Sequence, residues 1–152
     1  MNEYLNVTVR EMPPVLVALL EYKADSLAGT YQESVGMLFR EVEGWLNHRG
    51  FRTDQLQRFG VPFNDGPVLH RYWCCIEAPE GLAADGGAVQ IRELAGGRYA
   101  VLSLVKDAAT IGPAIGRFYS EYVPAHGLIL DETRPPIEIY HAQTMDYCVP
   151  VK

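Results

Sequence analysis

The sequence predicts an α+β fold made of two strand-helix-strand-strand units, with antiparallel sheets, two main helices and a central cleft on a pseudo-twofold axis. Three observations predict it: an internal repeat, an amphipathic helix pattern after each copy of the repeat, and two short strand patterns after each helix. The chain has 152 residues, 48% of them hydrophobic, which suits one domain of ordinary size. We expect a single domain over residues 1–152, with repeat halves at about 1–80 and 85–152.

The repeat forms the first part of each half. An offset of 82 residues aligns residues 7–23 with residues 89–105 without a gap, with five identities in 17 positions. Each segment alternates apolar and polar residues, is interrupted by Pro13-Pro14 or Gly96-Gly97, and then continues as an apolar run. Such a run is typical of a buried strand, so each half is expected to begin with strands.

The first helix is expected between a capping box and a glycine. Thr30 and Glu33 have the spacing at which each side chain caps the other's backbone amide, and Gly50 stands where a left-handed residue ends a helix. The apolar residues between them recur at helical spacing: Val35, Leu38, Phe39, Val42, Trp45 and Leu46. This stripe predicts that Trp45 belongs to the core.

The second helix has a less regular pattern. Pro124 is expected to disturb its last turn because proline has no backbone N–H, and Gly127 is expected to end it. Its apolar stripe consists of Ile111, Ile115, Phe118 and Tyr122. Strand patterns follow each helix, at residues 59–63 and 70–77 in the first half and at residues 137–142 and 147–151 in the second.

The strand at residues 137–142 carries the most informative side chains. Ile137 and Ile139 alternate with Glu138 and Tyr140, so we expect the isoleucines to face the helices and the carboxylate and phenol to share the other face.

In the strand at residues 70–77, Trp73 shares one face with Arg71 and Cys75, and Tyr72 shares the other with Cys74 and Ile76. Alternation alone leaves open which of these faces lines the cleft.

Composition excludes several function classes. The net charge of −6 without a basic patch argues against direct binding of nucleic acid, and no helix-turn-helix segment remains beside the two repeats. The apolar runs are too short to cross a membrane and the N-terminus lacks a signal peptide, so a cytoplasmic protein without a membrane partner is expected.

Cysteine and histidine spacing argues against metal sites, cofactors and disulfides. Cys74, Cys75 and Cys148 match neither a zinc site nor a disulfide framework, and are expected to be small buried thiols. His70 and His141 lack a partner at ligand spacing, and His48 and His126 lie near the expected helix ends.

The order and spacing of several short segments resemble the bacterial GyrI-like effector-binding domains, which occur alone and as the ligand-sensing half of AraC-type and MerR-type regulators. The segments are VREMPPVLVALL at 9–20, GTY at 29–31, GWLNHRGF at 44–51, GVPFNDGP at 60–67, GGRYAVL at 96–102, YVPAHG at 122–127, IEIY at 137–140 and VPV at 149–151. One departure is the segment VKDAATIG at 105–112, where many members carry a His and a Gly.

The resemblance implies a cleft that binds lipophilic, often cationic compounds, as in multidrug-binding members, with an acidic residue in an aromatic pocket. Glu138 stands at the position of that acid. Tyr140, Trp73, Phe63 and Tyr99 are the expected aromatic residues of the pocket. A carboxylate among apolar walls is costly alone, so a ligand cation and aromatic faces would compensate it.

Three functions are consistent with this resemblance. The first is a stand-alone domain that senses or sequesters small molecules, with any DNA reading left to a separate regulator. The second is a hydrolase of cyclopropanoid or related genotoxic compounds, in which Glu138 and Tyr140 would be catalytic. The third is an inhibitor that binds DNA gyrase. Ligand identity and oligomeric state are left open by the sequence.

Overall fold

A computed structural model describes residues 5–23, 31–65 and 68–152, apart from the side chains of residues 31–33, 65 and 68–70. Within these ranges the chain forms eight strands, which pair antiparallel, and two main helices, so the predicted α+β class is confirmed. The elements are β1 Asn6–Met12, β2 Val15–Lys23, α1 Tyr31–His48, β3 Arg58–Asp65, β4 Val68–Glu77, β5 Gln90–Leu94, β6 Gly97–Val105, α2 Ala108–Arg117, β7 Ile137–Tyr140 and β8 Thr144–Pro150.

The chain divides into two compact units. The terminal unit comprises Met1–Pro13 with Gly96–Lys152, and the internal unit comprises Pro14–Ala95. These units differ from the repeat halves because the first strand of each repeat pairs within the unit built mainly from the other repeat: β1 pairs with β6, and β5 pairs with β2. The prediction of a single domain with halves near 1–80 and 85–152 stays a prediction.

In the internal unit, the sheet has the order β3-β4-β2-β5 and α1 packs on one of its faces. The predicted helical stripe is confirmed, since Val42 and Leu46 are fully buried against Ala18 and Ile76. Trp45 packs at the edge of this cluster, where its indole N–H donates to Asp85 at 3.3 Å and the Arg49 guanidinium lies over its ring.

The sequence predicts a capping box at the start of α1 and a glycine at its end. Gly50 follows the helix with φ of 88°, the left-handed conformation that the helix end requires. The predicted capping box lies outside the described residues, because Thr30 is not described and Glu33 has no described side chain.

In the terminal unit, the sheet has the order β1-β6-β8-β7 and α2 with its continuation packs on one face. Asp107 caps α2, since its side chain accepts the N–H of Ala109 at 3.0 Å. The predicted stripe is confirmed: Ile111, Ile115, Phe118 and Tyr122 all contact the same buried cluster of the sheet.

After α2 the helix widens into a π-helical turn at Phe118–Tyr122 and closes with a short α-helical turn at Val123–Ala125. The N–H of Val123 bonds to the carbonyl of Phe118, five residues earlier. Pro124 follows directly and has no N–H with which to continue the α-helical ladder. The predicted disturbance of this last turn by Pro124 is therefore observed, and Gly127 ends the turn with φ of 61°.

Candidate functional site

Glu138 and Tyr140 lie on the helix side of the terminal unit's sheet, so the predicted orientation of β7 was wrong. Glu138 is directly opposite Tyr147 on β8 and Tyr140 is opposite Met145, and both β8 residues belong to the cluster under α2 and its continuation.

The isoleucines occupy the other face, where Ile137 pairs with the fully buried Cys148 and is itself 7% exposed. Because that face is also buried there, apolar character at Ile137 and Ile139 could not identify the face that carries the helices.

A short hydrogen bond joins the two predicted site residues of β7. The Tyr140 hydroxyl donates to Glu138 Oε1 at 2.7 Å, and both side chains are half-buried. A hydrogen bond donated to a carboxylate stabilises its negative charge. The hydrogen bond therefore positions the Glu138 carboxylate beside the aromatic ring of Tyr140.

Two further tyrosines, Tyr147 and Tyr119, adjoin this pair and were missed in the sequence. Tyr147 is 5% exposed beside Glu138, and its hydroxyl lies 3.1 Å from that of Tyr119 on the π-helical turn. The two rings meet edge to face with centroids 6.4 Å apart. Burial raises the pKa of both phenols above the ordinary value, so both hydroxyls stay neutral at physiological pH. The sequence signal for Tyr119 was its position four residues after Ile115, on the same helix face.

We call Glu138, Tyr140, Tyr147 and Tyr119 the Glu138 site. It combines one carboxylate with three phenol rings at the sheet-helix boundary of the terminal unit. Negative charge and aromatic faces both attract organic cations, which need no strict shape to use them. In the part of the chain that the structure describes, no group of three His, Cys, Asp or Glu side chains is arranged to hold a metal ion.

Raising the pH above about 10 is expected to destabilise the fold, and Tyr147→Phe is expected to reduce that effect. Burial, and then the Tyr119 and Glu138 charges, raise the pKa of Tyr147 in the folded protein. The unfolded chain keeps an ordinary phenol with a pKa of about 10. As the pH rises, the unfolded chain therefore loses this proton before the folded protein does. The stability that the protonated Tyr147 contributes is complete below pH ~10 and is lost as the pH rises further.

Urea unfolding at several pH values between about 9 and 12 measures this contribution. Removing the Tyr147 hydroxyl should make the fall in unfolding free energy shallower by up to about 1.4 kcal/mol per pH unit. An unchanged slope in Tyr147→Phe would show that this phenol is not protected by burial.

Trp73 and Phe63 come together in the internal unit, on the sheet face that does not carry α1. Tyr72 and Cys74, the neighbours of Trp73 in β4, pack against α1, and alternation directs Trp73 to the opposite face. The Phe63 and Trp73 rings meet edge to face with centroids 4.9 Å apart. The role of these two rings in ligand binding stays a prediction.

Trp73 also takes part in a polar cluster around Glu21. The Trp73 indole N–H donates to Glu21 Oε1 at 3.1 Å and Arg71 donates to the same oxygen at 2.7 Å. The Arg71 guanidinium lies 4.4 Å from the centroid of the Phe63 ring. Partial burial raises the pKa of Glu21, but the hydrogen bonds from Trp73 and Arg71 and the nearby positive charges outweigh it, so the net shift is downward.

Tyr99 lies apart from the Glu138 site within the terminal unit. It is 1% exposed on β6, beneath the guanidinium of Arg134, which is 4.7 Å from the ring centroid and 3.1 Å from Asp131. Alternation along β6 places Tyr99 on the sheet face opposite Ala100, which belongs to the cluster that packs against α2 and its continuation. Its proposed role in ligand binding also stays a prediction.

Other sequence predictions concern the cysteines and the membrane. Cys74, Cys75 and Cys148 are buried and free, as predicted. Among the described residues, no helix combines the length and the apolar character that a membrane span needs.

Comparison with known proteins gives a family and a shared fold. The family described as GyrI-like small molecule binding domain matches residues 5–152. The chain is 26% identical over 130 residues to the probable transcriptional regulator YgiV of Escherichia coli K12, an alignment covering 83% of this chain and 78% of that protein.

Two solved structures share the fold at low identity. The C-terminal domain of EcmrR is 10% identical with a TM-score of 0.73, and the alignment covers 99% of each chain. SAV2435, solved bound to tetraphenylphosphonium, is 14% identical with a TM-score of 0.62, over 97% of this chain and 94% of that one. Because the family match extends over nearly the whole sequence, this protein belongs to the GyrI-like small molecule binding domain family.

Proposed function

We propose that this domain binds lipophilic organic cations at the Glu138 site, for sensing or sequestration. The observation that carries the proposal is the 2.7 Å hydrogen bond from Tyr140 to Glu138, which holds a carboxylate against aromatic rings on the helix side of β7. A half-buried carboxylate of this kind is stabilised most by a ligand whose positive charge is diffuse and which needs few hydrogen bonds.

The aromatic residues of the site support a ligand with large apolar groups. Tyr147 and Tyr119 add aromatic rings beside the carboxylate, and their hydroxyls already bond to each other, so a ligand with apolar groups leaves no phenol hydroxyl without a hydrogen-bond partner. SAV2435, which shares the fold, was solved with tetraphenylphosphonium, a cation carrying four phenyl groups. This ligand class suits the charge and aromatic content of the Glu138 site.

The contacts of Glu138 favour binding over hydrolysis. A general base must take a proton from water, but Glu138 Oε1 already accepts the hydrogen bond from the Tyr140 hydroxyl at 2.7 Å, so this oxygen is occupied. A stabilised negative charge is, in contrast, what a site for cations requires. Likeness to the probable transcriptional regulator YgiV fits a sensing role.

Two ions of almost the same shape test the proposal. Tetraphenylphosphonium and tetraphenylborate differ mainly in the sign of their charge, so equilibrium dialysis of both against the purified protein separates charge recognition from apolar binding. We expect the phosphonium ion to bind at least about tenfold more tightly than the borate ion, since one carboxylate distinguishes them. Equal affinities, or no binding of the phosphonium ion, would contradict the proposal.

A further inference from the structure

The loop between β6 and α2 holds Lys106 at a fixed place beside β7. The Lys106 backbone N–H donates to the carbonyl of Gln143 in the β7–β8 turn at 3.2 Å. The next residue, Asp107, caps α2 through its bond with Ala109. The backbone at Lys106 is thus anchored on one side by the turn and on the other by the helix start.

The side chain of Lys106 reaches the Glu138 site. Its Nζ atom lies 5.7 Å from the centroid of the Tyr140 ring, within the range of a cation-π contact. The hydroxyl of the same ring donates to Glu138. The Tyr140 phenol is therefore flanked by a positive charge at its ring face and by the Glu138 carboxylate at its hydroxyl.

Lys106 is exposed, and among the residues that the structure describes it forms no ion pair. The carboxylate of the adjacent Asp107 is occupied as the cap of α2. The Lys106 ammonium can accordingly pair with an anionic group of a ligand seated at Tyr140, and it repels a second cation that approaches the same ring face.

We propose that Lys106 is a specificity-determining residue, which makes the Glu138 site prefer lipophilic zwitterions over lipophilic compounds with a positive charge alone. The inference rests on the proposed function and names the ligand class more narrowly. The cationic group of the ligand meets Glu138, its rings meet the tyrosines, and its carboxylate meets Lys106. The tetraphenylphosphonium ion would then bind through Glu138 and the tyrosine rings and would gain nothing from Lys106.

Rhodamine B and its ethyl ester provide a matched pair of probes, because the free acid is a zwitterion at neutral pH and the ester is a cation. Fluorescence anisotropy titrations give the ratio of the two dissociation constants for each protein variant. Relative to the wild-type protein, Lys106→Gln should shift this ratio about three- to tenfold in favour of the ester, the size expected for one partly solvated charge contact.

Two variants control for net charge and for side-chain length. Lys152→Gln makes the same change in net charge, but its neighbours are Ile129 and Arg98 and not Tyr140, so its ratio should equal that of the wild-type protein. Lys106→Arg keeps the positive charge and should retain most of the wild-type preference.

The outcomes separate the two proposals. If both dyes bind and Lys106→Gln leaves the ratio within about twofold of the wild-type value, the role of Lys106 is overturned and cation binding at Glu138 stands. If the wild-type protein binds neither dye, the proposed function is contradicted, and so is the proposed role of Lys106 in specificity.

Discussion

Glu138→Gln is expected to weaken the binding of tetraphenylphosphonium by about ten- to a hundredfold, which corresponds to roughly 1.4 to 2.8 kcal/mol. The amide has the shape of the carboxylate and its oxygen can still accept the hydrogen bond from Tyr140, so the pair of side chains is preserved. Only the negative charge is removed, and with it the attraction for a ligand cation in a site of reduced polarity. Isothermal titration calorimetry measures the change directly.

Glu132→Gln is the matched control, because it makes the same change in net charge at an exposed residue on the loop before β7. Its affinity for the phosphonium ion should stay within about twofold of the wild-type value. The proposal predicts in addition that Glu138→Gln binds tetraphenylborate no more weakly than the wild-type protein does. If Glu138→Gln and Glu132→Gln bound the phosphonium ion equally well, the Glu138 carboxylate would have no part in recognition.

Phe118→Ala is expected to lower the free energy of unfolding by about 3 to 5 kcal/mol, the largest stability effect of any prediction made for this protein. Phe118 is 0% exposed at the start of the π-helical turn, where it packs on the sheet cluster of the terminal unit. Its ring stacks on Tyr122 with centroids 5.7 Å apart and meets the edge of Tyr119 at 5.4 Å. Truncation removes these contacts and leaves a cavity next to the helix that carries Tyr119.

Urea unfolding, followed by circular dichroism, measures this loss of stability. Ile129→Ala serves as the control, since Ile129 is 62% exposed and its truncation should change the unfolding free energy by no more than about 0.5 kcal/mol. A loss below about 1 kcal/mol for Phe118→Ala would mean that the core under the π-helical turn is loosely packed.

Helical spacing was sufficient to predict which residues of α1 are buried. A helix that covers one sheet face has one apolar stripe, and the stripe that includes Val42 and Leu46 is the buried one. The position of Pro124 likewise predicted a disturbed last turn in the second helix, because the missing N–H is a property of the residue itself. Such local signals act over a few residues and can be read without tertiary information.

The orientation of β7 could not be predicted in the same way. Alternation correctly separates Ile137 and Ile139 from Glu138 and Tyr140, but both sheet faces are buried at this strand. The apolar residues of β7 therefore need not face the helices, and the register with β8 shows that Glu138 lies on the side of Tyr147.

Contacts between distant segments account for the rest of the site. Tyr147 and Lys106 come near Glu138 and Tyr140 through pairing of β7 with β8 and through the hydrogen bond from Lys106 to the β7–β8 turn. Neither contact leaves a periodic trace in the sequence. The departure of residues 105–112 from the family pattern indicated that the loop before α2 is unusual. It did not indicate that Lys106 lies over Tyr140.

The two units differ at the position of the carboxylate. The register aligns Cys75 with Leu19 in the internal unit and Cys148 with Val101 in the terminal unit, and Leu19 and Val101 are equivalent in the repeat. Cys74 and Tyr147, which precede these two cysteines, are therefore equivalent as well. Gly60 is opposite Cys74 and Glu138 is opposite Tyr147, so Gly60 is the equivalent of Glu138. The carboxylate of the Glu138 site thus has a glycine at the equivalent position of the internal unit.

The crystal structure of the protein with tetraphenylphosphonium is the most direct test of the account, because it locates the ligand as well as showing that it binds. We predict the phosphonium ion next to the Glu138 carboxylate, with its phenyl groups against the rings of Tyr140 and Tyr147. A phosphonium ion bound elsewhere, for example in the groove of about 540 Å³ that Leu104, Pro113 and Arg117 help to line, would contradict the assignment of Glu138 as the cation-binding residue.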